Sequence, residues 1–165
     1  MYPLTLTALQ KVSDLLTTDN ALQNEITQIG SAANQSIPVI APSQVILSSA
    51  PANIGDNNVQ LTYPRVCLYA SGLKNTQVEK FRRVSGTIDV VAEIWASDNM
   101  VTHTDQWIHF YVEAVTDILS QAQGDWGQGL FFSGVYEVQF QQPKAGGLGF
   151  VQSAKVTCSV NVSVG

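Results

Sequence analysis

Charged side chains are scarce in this sequence. Asp, Glu, Lys and Arg make up 13% of its 165 residues, against roughly 25% in an average soluble domain. Ser, Thr, Asn and Gln take their place and supply 50 of the 165 residues. Uncharged polar side chains can enter a protein–protein interface without leaving a buried ion, so this composition favours a subunit of an assembly over a monomer.

Basic residues are scarcer than acidic ones, and the formal net charge is −5. A protein that binds nucleic acid independently of its sequence needs a basic surface. This charge therefore disfavours that class of function. It remains compatible with a wall past which DNA slides, because a repelling surface would prevent DNA from sticking.

Only two cysteines occur, Cys67 and Cys158, and both lie in strand-like segments between apolar residues. We expect two buried, reduced thiols, with a disulfide as the alternative. No run approaches the ~18 apolar residues of a membrane-spanning helix, and Met1-Tyr2-Pro3 does not begin a secretory signal. The sequence therefore predicts a protein that is made in the cytoplasm and has no membrane partner.

Familiar catalytic motifs are also missing: the sequence has no nucleophile elbow, no HExxH and no CxxC pair. Asp105, His109 and Glu113 follow one another at four-residue steps along a predicted helix. Such a row can hold a metal ion or form a solvated stripe. We favour the stripe and expect no enzyme, no metal and no cofactor, with a small metal-dependent enzyme as the alternative.

Periodic apolar residues predict both strands and helices. Alternation predicts four long strands, over residues 63–71, 87–96, 130–141 and 151–164. Apolar residues at steps of three and four predict helices over residues 4–17, 21–29 and 102–122. The sequence thus predicts an α+β fold in the order αββαββ.

Two hairpins would join edge to edge into one four-stranded, mainly antiparallel sheet with helices packed on one face. The other face, which carries Asp89 and Glu93, would be polar. We expect a single domain over 1–165, with helices at 1–30 and the sheet and main helix at 63–165. The irregular segment 31–62 between them is interpreted as an arm that orders on a neighbour or as a flexible linker.

Two local features are candidate contact sites. The connection between the first two strands concentrates charge, at Lys74, Glu79, Lys80, Arg82 and Arg83. It is either the solvated tip of a hairpin or a tip that docks on a partner or a phosphate group. Trp126 stands among glycines after the main helix, where it is either an interface anchor or a side chain folded back over the helix end.

The sequence resembles one family. A YPRV strand at 63–66, a charged hairpin, the strand SGTIDVVAEIWAS at 85–97, a helix with Asp105-Gln106-Trp107 and a closing hairpin follow one another. Together they resemble the tail terminator, or tail-completion, proteins of tailed bacteriophages, and more distantly neck and tail-tube proteins. The likeness covers about residues 60–164 and is one of pattern, without a diagnostic motif. The long segment 31–62 departs from the compact members of that family.

The resemblance implies a structural virion protein, assembled in the host cytoplasm, that forms a homohexameric ring in the viral neck. The ring would cap the tail-tube protein and join it to the head connector, and DNA would pass through its lumen without specific binding. Asp89 and Glu93 would contribute to an acidic lumen wall. Candidate contacts with neighbours are Lys74, Lys80, Arg82, Arg83 and Trp126. The alternatives are a head–tail connector of the stopper or adaptor type and a tail-tube subunit.

Overall fold

The computed structural model describes residues 3–54 and 61–165. Its helices are α1 (Leu4–Thr17), α2 (Ala21–Ala32) and α3 (Val101–Gln121). Its strands are β1 (Val45–Ile46), β2 (Arg65–Asn75), β3 (Val84–Asp98), β4 (Gly124–Gly127), β5 (Leu130–Phe140), β6 (Lys144–Gly146) and β7 (Gly149–Val164). No helix among the described residues is both long and apolar enough to span a membrane.

The prediction of a four-stranded sheet was wrong. The described residues form a mixed, seven-stranded sheet in the order β1-β2-β3-β7-β5-β4, with β6 paired to β7, and this sheet curls into a half-barrel. β1 runs parallel to β2, whereas the other pairings are antiparallel. The additional strands are short. With them the fold is mostly β, instead of the predicted α+β class.

Two of the additional strands form where glycines let the backbone reverse. Gly127 and Gly129 bracket the turn between β4 and β5 and have φ angles of 80° and 81°, which glycine adopts at little cost. A Cβ atom at Gly129 would also lie 2.4 Å from the carbonyl oxygen of Ser163. No strand was predicted for these segments, because three or four residues are too few to show an alternating pattern.

The centre of the sheet is the pairing of β3 with β7. Their register runs without interruption from Val84 opposite Val164 to Asp98 opposite Phe150, and it joins the β2–β3 hairpin to the β5–β7 hairpin. Alternate residues of both strands are buried on the side that faces the helices. They include Ile88, Val90, Ala92 and Ile94 in β3 and Val156, Cys158 and Val160 in β7.

The three helices bury their apolar stripes in this same core. α1 contributes Val12 and Leu16, α2 contributes Ile26, and α3 contributes Ile108 and Val115. Both cysteines are free and buried, which confirms the expected pair of reduced thiols. Burial raises the pKa of the Cys158 thiol to about 12, so this thiol is unreactive at neutral pH.

The described part of segment 31–62 packs on its own chain. Ile37 and Ile40 are buried in the main core, and the phenol of Tyr111 donates a 2.7 Å hydrogen bond to the carbonyl oxygen of Pro38. Beyond β1 the chain crosses to the sheet face opposite the helices, where Ile54 is buried. The described residues of this segment are thus held against their own chain. Residues 55–60 of the segment lie outside the described part.

The bond from Tyr111 to Pro38 can be tested by substitution. Tyr111 is fully buried, so Tyr111→Phe removes a hydrogen bond while keeping the ring in place. We expect the free energy of unfolding to fall by about 1 kcal/mol, measured by urea denaturation. Tyr136→Phe is the matched control, since this tyrosine is 41% exposed, and it should change stability by less than about 0.5 kcal/mol. Equal effects of the two substitutions would contradict the role of the Pro38 contact.

Candidate assembly surfaces

The sheet face opposite the helices, called the outer face from here on, carries both predicted wall residues. Asp89 is partly exposed, and one of its carboxylate oxygens accepts a 2.9 Å hydrogen bond from the hydroxyl of Ser159. Glu93 is only 8% exposed. The outer face therefore offers the charge of Asp89 to solvent and keeps most of the Glu93 side chain enclosed.

The environment of Glu93 explains its enclosure. Lys155 of β7 and Cys67 of β2 are its register partners on either side, and the phenol of Tyr69 is hydrogen-bonded to its carboxylate. Burial, together with the charge of Glu93 and this hydrogen bond, raises the pKa of Tyr69 to about 12. The carboxylate thus acts within the chain, as an acceptor between strands.

A second apolar cluster covers this end of the outer face. Ile54, Cys67, Trp95 and Val151 are buried together, and the ammonium of Lys144 lies 5.7 Å from the centroid of the Trp95 ring. Sequence reasoning treated this face as uniformly polar and missed the cluster. The available signal was the position of Val91 and Trp95 on the polar side of β3.

The charged connection at 76–83 forms an exposed tip at the other end of the sheet. Its two apolar residues, Val78 and Phe81, are 100% and 87% exposed. The ammonium of Lys80 lies 5.3 Å from the Phe81 ring centroid, and Arg82 is also exposed. The structure therefore gathers Lys80, Arg82 and Arg83 with two uncovered apolar side chains.

The two remaining candidate contacts lie elsewhere. Lys74 is exposed near the end of β2, before the tip. Trp126 is folded back: its indole N–H donates a 2.7 Å hydrogen bond to the carbonyl oxygen of Ala122, and its ring lies 5.2 Å from that of Phe132. Trp126 thereby satisfies a carbonyl at the end of α3 that the helix itself leaves without a partner.

The three candidate metal ligands on α3 have separate partners. Asp105 accepts a 3.1 Å hydrogen bond from the amide of Gln152, and the His109 ring lies 4.9 Å from that of Phe140. Glu113 is close enough to Glu25 to help raise the pKa of that carboxyl, after burial and the charge of Asp117. Within residues 3–54 and 61–165 no three such side chains converge on a point where they could hold a metal ion.

Both edges of the sheet are partly open. At one edge β1 pairs with Val66 and Cys67 only, and among the described residues no strand lies beside 69–75 of β2. At the other edge β4 pairs with residues 130–132 of β5, and no described strand pairs with residues 133–140 on that side. Open edges present unpaired backbone groups to which another strand can add.

No protein-family model matches the chain, and no curated protein matches it. A solved chain from the "Virion of native gene transfer agent (GTA) particle" is similar in structure, with a TM-score of 0.40 and 11% sequence identity, over 88% of this chain and 96% of that chain. This is a weak structural similarity to a virion component and identifies no family.

The contact between Glu93 and Tyr69 predicts a change in alkaline titration. Because the folded pKa of Tyr69 lies above the value of about 10 in an unfolded chain, the native state holds this proton more tightly. The stability that it contributes is present below about pH 10 and is lost as the pH rises through about 12.

Glu93→Gln removes the neighbouring charge, so we expect it to lower the pKa of Tyr69. The measurement is phenolate absorbance, with the Tyr69 component identified by difference from Tyr69→Phe. Asp89→Asn is the control, because the Asp89 carboxylate is bonded to Ser159, and it should leave the Tyr69 titration in place. Equal titration curves for Glu93→Gln and wild type would show that the charge of Glu93 does not act on Tyr69.

Proposed function

We propose that this protein is a structural virion subunit that assembles into a ring, as the tail terminator of a phage tail. The observation that carries the proposal is the pair of open edges on opposite sides of one sheet, at β2 and β5. A ring in which the β2 edge of each copy meets the β5 edge of the next covers both edges of every copy and then closes.

Surface chemistry supports a role inside an assembly. The middle of the outer face carries small polar side chains, at Thr87, Thr157, Ser159 and Asn161, beside the carboxylate of Asp89. A lumen lined by this face would let DNA pass without retaining it, because the two lysines of the face, Lys74 and Lys155, are outnumbered by the carboxylates of Asp89, Glu93 and Glu137.

The exposed tip supports contact with a second protein. Val78 and Phe81 have almost no cover of their own, and aromatic and apolar anchors surrounded by charge are typical of protein docking sites. In the proposed ring the tips project from one end of the sheet. There they would contact either the tail-tube protein or the head connector.

Electron microscopy of the purified protein tests the proposal directly. We expect negative-stain images to show closed rings at high protein concentration or on the ends of purified tail tubes. Long tubes built from this protein alone would instead identify a tail-tube subunit, and rings found only on head connectors would identify a stopper or adaptor. A monomer in light scattering, at high concentration and with tails present, would contradict all three roles.

Charge introduced at the open β5 edge should weaken assembly. Tyr136 is 41% exposed on this edge, and a lysine on an edge strand hinders the addition of another strand. We expect Tyr136→Lys to raise the concentration needed for half-assembly by about tenfold, or about 1.4 kcal/mol per interface, in sedimentation velocity. Leu148→Lys is the control at a similarly exposed residue (63%) outside β5. Similar losses in both variants would remove the β5 edge from the interface.

A further inference from the structure

The two open edges carry opposite charges on the same face of the sheet, in rows that lie four residues apart along β3. Lys74 of β2 is exposed and lies opposite Thr87 of β3, whose side chain is on the outer face. Glu137 of β5 is exposed and lies opposite Thr157 of β7, on the same face. One edge therefore offers an ammonium and the other a carboxylate, both on the outer face.

The helix-facing side of the two edges is apolar. Leu73 of β2 is 47% exposed although its register partner is the buried Ile88. At the other edge Val138 is partly buried and Tyr136 is 41% exposed. Apolar groups at both edges thus lack part of the cover that a further strand would give them.

A single register satisfies both faces at once. β2 and β5 run in opposite directions within the sheet, since each of the three pairings that connect them is antiparallel. An antiparallel pairing between copies that sets Lys74 opposite Glu137 also sets Leu73 opposite Val138 and Asn75 opposite Tyr136. Outer-face residues then meet outer-face residues and helix-facing residues meet helix-facing ones, as a continuous sheet requires.

From this arrangement we infer that Lys74 and Glu137 select head-to-tail joining of two copies of this chain, β2 to β5, over pairing of like edges. This inference rests on the proposed ring and names the contact within it. Symmetric β2–β2 pairing in the matching register would bring lysines together, and β5–β5 pairing would bring glutamates together. Like charges directly opposite one another destabilise strand pairs. Head-to-tail contacts repeat in the same way from copy to copy and use both edges of each, whereas a like-edge contact is complete in a pair of copies and leaves their other edges open.

Cysteine cross-linking tests which edges meet. Directly opposed residues of an antiparallel pair have Cβ atoms about 4.5–5.5 Å apart, close enough for a disulfide after small adjustments. We expect the full-length Lys74→Cys/Glu137→Cys protein to form a ladder of covalent multimers under mild oxidation. Each single variant should stay monomeric on the denaturing gel. The wild type is the background control, because Cys67 and Cys158 are buried.

The outcomes separate this inference from the proposed function. Rings that form by light scattering while the double variant gives no ladder would overturn the β2–β5 contact and leave the ring intact. Covalent dimers from Lys74→Cys alone, formed as fast as the double variant's ladder, would show pairing of like edges and overturn the inference. A protein that neither assembles nor cross-links would overturn both the proposed ring and the β2–β5 contact.

Charge exchange tests selection itself. Lys74→Glu and Glu137→Lys should each raise the concentration for half-assembly by about fivefold, and Lys74→Glu/Glu137→Lys should restore it. Lys11→Glu and Asp14→Lys change the net charge equally but lie on α1, so they control for overall charge. A double variant that assembles no better than either single variant would show that the two residues do not pair.

Discussion

The backbone pairing of β3 with β7 is the constraint on which the rest of the structure depends. It extends over the full length of β3 and fuses two hairpins that are separated in sequence by α3. Because this seam fixes which residues face the helices, it places the alternating apolar residues of both strands in one core. It also makes β2 and β5 the outermost long strands, so the open edges follow from the position of the seam.

The open edges and the scarcity of charged residues both affect how readily the chain associates with a neighbour. A sheet with unpaired backbone groups on both sides invites addition of further strands, and many proteins prevent this with lysines, prolines or covering loops. Here β1 and β4 cover only part of each edge. Because charge is scarce over the rest of the surface, burying that surface against a neighbour costs little free energy of desolvation. Protection against uncontrolled pairing then depends on the few charges at the edges.

Periodicity predicted the long elements well, because each offers many repeats of its pattern. α1 occupies the predicted residues 4–17, and β7 has the alternation expected of 151–164. β4 and β6 were missed because their strand character depends on a partner across a glycine turn. Among candidate contact residues, Lys74 was singled out by its charge, whereas Glu137, its proposed partner, was not, since only the register reveals that it lies on an open edge. The enclosure of Glu93 was not predicted either, because its register partner Lys155 lies far away in the sequence.

The two ends of the sheet differ in a way that matters for a ring. The tip with Val78 and Phe81 follows β2 at one end, whereas the apolar cluster around Trp95 and its neighbour Lys144 occupies the other. Copies related by rotation alone all point the same way, so one side of the proposed ring would present only tips and the other only the covered clusters. Symmetric dimers would mix the two ends on each side. A subunit that joins two different structures needs two different sides, and head-to-tail pairing through Lys74 and Glu137 is the kind of contact that keeps them distinct.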